Sequence, residues 1–185
     1  GGDYVLLQWC VDHGRVLQSQ EDFDAVLREL GEKLISEFHS RFYEVRAYLL
    51  EHEREFWLSL NILYDGVGEV MKSLENDSRV YILSTKRSSF IAEILASKGI
   101  DWPLSRIIDS GREKKVDIIL SVLEQRNVST AAFIDDQVDY FAGAPEDRIT
   151  CYLASWGYVK PDWLLGSGYM VISREYLKEL FAGLT

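Results

Sequence analysis

Two short stretches decide the fold: Val80-Tyr81-Ile82-Leu83-Ser84-Thr85 and Ala131-Ala132-Phe133-Ile134-Asp135-Asp136. Each is an unbroken apolar run that stops abruptly at polar residues, the pattern of a strand covered on both faces. Between them, Ser88 opens a helical pattern through Phe90, Ile91, Ile94 and Leu95 that stops at Gly99. Ile107-Ile108 is a weak strand, and Val116, Ile119, Leu120 and Leu123 mark the next helix. Further on, Ile149 to Leu153 and Tyr169 to Ile172 read as strands, and Glu175 to Phe181 as a closing helix. Alternation of this kind predicts right-handed crossovers and a parallel sheet with helices on both faces.

Toward the amino terminus the pattern changes. Tyr4 to Val11 is apolar except for Gln8 and ends at Asp12-His13-Gly14, which predicts a first buried strand. A long helical face follows through Phe23, Val26, Leu27, Leu30, Leu34, Ile35 and Phe38, opened by Ser19 and Asp22 in a capping-box arrangement. After His39-Ser40 a second face runs through Phe42, Val45, Leu49, His52 and Phe56. Two helices without an intervening strand predict an inserted hairpin. The expected class is α/β: a Rossmann-like parallel sheet from residues 1–19 and 64–185, with a small helical cap, residues 20–63, after the first strand.

Composition narrows the function. Hydrophobic residues are 47% and charged residues 27%, enough for an ordinary globular core and too apolar for disorder. Lys and Arg number 20 against 30 Asp and Glu, a formal charge of -10 that repels phosphate backbones and anionic bilayers alike. No nucleic-acid or membrane partner is therefore expected, and no apolar run nears the ~20 residues of a spanning helix. Gly1-Gly2-Asp3 lacks the basic start of a signal peptide. Cys10 and Cys151 sit inside apolar runs and read as small buried hydrophobes, which suits a reducing cytoplasm.

In an open parallel sheet, ligands bind beyond the carboxyl ends of the strands. The residues there are Asp12, Ser84 with Thr85, and Asp135 and Asp136 with Asp139 shortly after; Lys114 and Lys115 precede a helix. Carboxylates suit a hard cation such as Mg²⁺, while a hydroxyl and an ammonium suit phosphate oxygens. Adjacent carboxylates at a strand end repel unless a cation or donor lies between them, so Asp135-Asp136 is the strongest signal. Singly, Asp12, Ser84 and Lys115 are as well explained as turn, cap and surface residues. His39 and His52 lack partners at ligand spacing, so zinc is not expected.

The order of these features resembles the haloacid dehalogenase superfamily, mostly Mg²⁺-dependent phosphatases. Tyr81-Ile82-Leu83-Ser84 looks like the family's second motif, Lys115 (with Lys114 its competitor) like the third, and Phe133-Ile134-Asp135-Asp136 like the fourth. Tyr64-Asp65-Gly66-Val67 resembles the stretch where such chains re-enter the core after a cap. Ser155-Trp156-Gly157-Tyr158 is similar to related cyanobacterial and plant members. The first motif, Asp-x-Asp-Gly, is degenerate here. One register puts Asp12 on the nucleophile and Gly14 on the acid/base; the other puts Val11 and His13 there. The first is preferred because Asp12 directly ends the apolar run.

The resemblance implies a hydrolase for a small phosphorylated metabolite, working through an aspartyl-phosphate at Asp12. Mg²⁺ would be held by Asp12, Asp135, Asp136 and Asp139. Ser84 and Lys115 would bind phosphate oxygens, with Thr85 and Lys114 beside the substrate and His13 or a water standing in for the missing acid. The helical insert is expected to act as a lid bringing Arg41 and Arg46 to the substrate. One alternative is a degenerate member that binds a ligand or partner without turnover. A weaker one is a metal-free dehalogenase.

Overall fold

The computed structural model describes residues 2–111 and 113–182, so residues 1, 112 and 183–185 of the expected core lie outside it. The chain divides into two compact units, Gly1–Leu60 and Asn61–Thr185.

The first unit is helical throughout: α1 (Gly2–Asp12), α2 (Gln20–His52) and α3 (Arg54–Ser59). The strand expected over Tyr4–Val11 is therefore a helix, and residues 1–19 group with the helices that follow. Periodicity cannot separate a short buried strand from a buried helix, and packing decides. Helical geometry brings Leu6 and Cys10, four residues apart, onto one face against Val26, and all three are buried. The turn ending the run is also a helix terminator. Arg15 N–H donates to Cys10 O and Gly14 N–H to Val11 O, the paired bonds of a Schellman motif, with Gly14 at φ 62.

The capping box at the start of α2 forms as expected. Ser19 Oγ accepts from Asp22 N–H (3.1 Å), and Asp22 Oδ2 accepts from Ser19 N–H (3.0 Å). The anticipated break at His39-Ser40 does not occur. The helix is instead interrupted at Gly31, where φ 72 and ψ 157 leave helical space, a conformation glycine adopts without a Cβ penalty.

In the second unit the elements are α4 (Val67–Leu74), β1 (Ile82–Ser84), α5 (Ser88–Ser97), β2 (Ile107–Asp109), α6 (Lys115–Arg126), β3 (Ala131–Asp135), β4 (Ile149–Ala154), α7 (Pro161–Gly166), β5 (Met170–Ile172) and α8 (Arg174–Ala182). The strands expected in this half are all present. Ser88 begins α5 but does not cap it; the cap position is Arg87. Every strand pairing among the described residues is parallel, but the single sheet expected is instead two, ordered β1-β2 and β3-β4-β5, because β1 and β3 do not pair.

Two apolar layers flank the strands. One gathers Val70 and Leu74 of α4, Leu95 of α5 and Leu177 of α8 around Ile107 and Ile172, with Ile82 and Ile134 packed against it. The other places Val116 of α6 against Phe133, Ile149, Leu153 and Phe141. Buried Arg106 closes the corner before β2: its guanidinium donates to the carbonyls of Glu75, Asp77 and Val80 and lies 4.7 Å from the Trp102 ring centroid. In the same loop, hydrogen bonds from Arg79 hold the Asp77 carboxyl down to about 2. No helix among the described residues is long and apolar enough to cross a membrane.

Candidate functional site

The sequence candidates of the second unit lie at the carboxyl ends of β1 and β3 and at the start of α6, and those in direct contact are Lys115 and Asp135. Parallel pairing brings Ser84 level with Asp109, and the loop beyond β2 folds back on it: Ser110 N–H donates to Ser84 O (2.8 Å). That loop leads into α6, whose first residue is Lys115. Lys114 is the exposed residue before the helix, whereas Lys115 is buried. Its Nζ donates to Asp135 Oδ2 at 2.6 Å, with the two side chains 8% and 9% exposed. An ion pair this sheltered persists only when its remaining valences are met. Asp135 Oδ1 accepts from Gln137 N–H (3.0 Å), and the ammonium lies 3.9 Å from the Tyr140 ring centroid.

Burial pushes the Asp135 carboxyl upward, more than Lys115 and the Gln137 amide pull it down. Burial, with Asp135, Asp136 and Asp139 nearby, also raises the Tyr140 hydroxyl. Burial is the larger influence on both groups, with the neighbouring carboxylates adding to it.

Asp136 is held from the next loop. Tyr158 N–H donates to its Oδ2 (2.7 Å), and Gln137 Nε2 donates to Tyr158 O (2.8 Å). Gly157 sits so close that a Cβ there would fall 2.3 Å from both Cβ and Oδ2 of Asp136. That contact explains the glycine in Ser155-Trp156-Gly157-Tyr158 in physical terms. Tyr64 completes this side, its hydroxyl raised by burial and by the neighbouring Tyr158 and Asp136. On the β1 side, Ser84 Oγ accepts from Lys86 N–H (3.1 Å), and Lys86 Nζ donates to Asn61 Oδ1 (3.1 Å). Thr85 is exposed, as is Asp139 in the 3₁₀ turn Val138–Phe141.

Sequence reading missed Lys86 and Tyr140, and it quoted Tyr158 only within Ser155-Trp156-Gly157-Tyr158, without a role at the site. Lys86 was findable, two residues past Ser84. Tyr140 and Tyr158 reach the site only through tertiary folding.

The remaining candidates belong to the helical unit. Asp12 closes helix α1 and accepts from Gln8 Nε2 (2.8 Å), so the strand-end position expected for it is replaced by a helix terminus. His13 stacks on Trp9 at 4.2 Å, its Nδ1 2.8 Å from Trp9 O. On α2, Arg41 pairs with Glu44 (3.6 Å), both largely exposed, and Arg46 lies 5.9 Å from the Trp57 ring centroid.

Among the described residues no three His, Cys, Asp or Glu side chains come together as a metal cage. The adjacent carboxylates of Asp135 and Asp136 are two of the ligands expected for Mg²⁺, an ion that commonly takes one or two carboxylates and fills its octahedron with water and phosphate oxygens. Cys10 and Cys151 are unbridged, and burial raises the Cys151 thiol, as expected of inert core cysteines. Comparison of the chain with family models, with curated proteins and with solved structures finds no match.

Proposed function

We propose that the chain is a hydrolase of the haloacid dehalogenase type, with a Rossmann-like core, acting on a small phosphorylated metabolite. The observation carrying this reading is the sheltered Lys115–Asp135 pair at the carboxyl ends of parallel strands, beside Asp136. Lys115 offsets part of the negative charge that two carboxylates and a phosphate bring together. Its ammonium is fixed by Asp135 and the Tyr140 ring, so it reaches the substrate already oriented. The Ser84 hydroxyl supplies a donor for a phosphate oxygen while accepting from the Lys86 amide. Mg²⁺, held by Asp135 and Asp136, would supply the charge neutralisation that lets an anionic nucleophile approach a phosphate. The resemblance implies Asp12 as the attacking carboxylate, and its place at the end of helix α1 lends that role no support.

The test is hydrolysis of an aryl phosphate, with and without Mg²⁺, by the wild type and the Asp135→Asn, Lys115→Ala and Asp12→Asn variants. The proposal expects chelator-sensitive turnover lost in the first two, with both variants still folded by circular dichroism. Chelator-insensitive turnover would overturn it. Unchanged turnover in Asp12→Asn would remove Asp12 from the mechanism and leave the rest.

A second reading has its own support: α1 is a helix, so Asp12 does not end a strand. On that reading the chain binds a phosphorylated ligand or a partner without turnover. Calorimetry would then detect Mg²⁺ or inorganic phosphate binding, abolished by Asp135→Asn, in a protein inactive on phosphomonoesters.

A further inference from the structure

Asp135 and Asp136 follow one another in the chain but are held in different ways. Both oxygens of Asp135 are taken, Oδ2 by the Lys115 ammonium (2.6 Å) and Oδ1 by the Gln137 N–H (3.0 Å). Asp136 is half-buried, and among the described residues it accepts one hydrogen bond, from Tyr158 N–H to Oδ2 at 2.7 Å. Its Oδ1 is the oxygen left for a ligand. How steadily that oxygen is presented depends on how firmly Tyr158 grips the other.

Tyr158 lies between β4 and α7, outside both elements, and at 78% exposure the packing of its ring does not fix it. Tight turns close around it: Gly157 N–H donates to Ala154 O (3.3 Å), and Val159 N–H to Gly157 O (3.0 Å). Neither bond uses a backbone group of Tyr158. Both of those groups are held from the end of β3, the N–H by Asp136 and the carbonyl by Gln137 Nε2 at 2.8 Å. Because Gln137 follows Asp136 in the chain, the two bonds close a ring that runs through the peptide link and back through Tyr158. A closed ring fixes a carboxylate that one hydrogen bond would leave free to turn. The Gly157 backbone bounds it further, leaving no room for a Cβ beside Asp136.

We infer that Gln137 is a positioning residue for Asp136: its carboxamide holds the Tyr158 backbone, and that backbone holds the carboxylate so that Oδ1 meets a divalent cation in one orientation. The inference rests on the proposed reading of the acidic pair as a cation site. The residue type suits the task. The Tyr158 carbonyl needs a donor, and a carboxamide donates without adding charge beside Asp135 and Asp136. Glutamate would set a carboxylate against a carbonyl oxygen, and leucine would leave that oxygen without its bond. Groups that orient a metal ligand without touching the metal are worth about ten- to a hundredfold in affinity.

Calorimetric titration of Mg²⁺ into the full chain tests this, with the wild type, Gln137→Leu, Gln137→Ala and Asp136→Asn. Both Gln137 variants keep the backbone N–H that Asp135 uses. They should bind Mg²⁺ at least about tenfold more weakly than the wild type while keeping native circular dichroism. In isotope-labelled protein without metal, their Tyr158 amide resonance should move as its bond to Asp136 loosens. Wild-type affinity in both variants, or a Tyr158 resonance that stays in place, would overturn the inference; if Asp136→Asn still abolished binding, the cation site itself would stand. Affinity lost only together with native circular dichroism would make Gln137 a structural strut and overturn the inference as well. Absence of Mg²⁺ binding by the wild type, or equal binding by Asp136→Asn, would remove the proposed cation site and the inference with it.

Discussion

Removing the charge of Lys115 should produce a stability defect that depends on pH in a direction the structure dictates. Lys115→Met keeps most of the apolar stem and leaves the Asp135 carboxylate, 9% exposed, without its 2.6 Å partner. Breaking one side of a buried pair costs about 3–5 kcal/mol. Here the loss depends on the ionisation of Asp135. Burial already raises its carboxyl, and without Lys115 only the Gln137 amide opposes that rise, so the folded-state pKa climbs further. Between the unfolded value of about 3.9 and the raised folded value, the native state binds more protons than the unfolded chain, and stability falls as pH rises. Each pH unit across that window removes about 1.4 kcal/mol, after which the curve flattens. Urea unfolding followed by circular dichroism should therefore show the largest defect near pH 7 and a smaller one near pH 5. Adding Asp135→Leu should recover most of the loss, since an apolar pair of similar volume is tolerated where half an ion pair is not. A defect under about 1 kcal/mol at pH 7, or one equal at both pH values, would refute the assignment.

Three further expectations concern packing. Gly157→Ala places a Cβ 2.3 Å from Asp136, so the turn or the carboxylate must shift; a loss of about 1–3 kcal/mol and a displaced Tyr158 amide resonance should follow. Arg106→Met strands the carbonyls of Glu75, Asp77 and Val80, costing about 2–4 kcal/mol in urea unfolding, and Arg106→Lys should recover only part of it. Leu6→Ala should lower stability by about 2–5 kcal/mol while Leu7→Ala, at a half-exposed position, costs far less; equal losses would favour the doubly buried strand over α1.

By itself, the sequence determined the strands of the second unit and most of its helices, but not α7 or the division into two sheets. Val80 to Thr85 and Ala131 to Asp136 are short apolar runs that alternate with well-marked helices, and parallel pairing follows from that alternation. Local signals that depend on few residues also held: the Ser19–Asp22 box and the halt at Gly99, where Ile100 and Gly99 donate back to Leu95 and Ala96. Tertiary structure decided whatever depended on partners distant in the chain. Tyr4–Val11 became a helix because Val26 offers a face that Leu6 and Cys10 fill at helical spacing, although Asp12-His13-Gly14 already carried a helix-stop pattern. Lys115 rather than Lys114 reaches Asp135 because only one of two successive residues at a helix start can point at the neighbouring strand. Gly157 is explained by Asp136, twenty-one positions earlier, and the division of the strands into two sheets is visible only once their partners are placed. Periodicity reports which faces of an element are apolar; it carries no information about which distant surface will cover them.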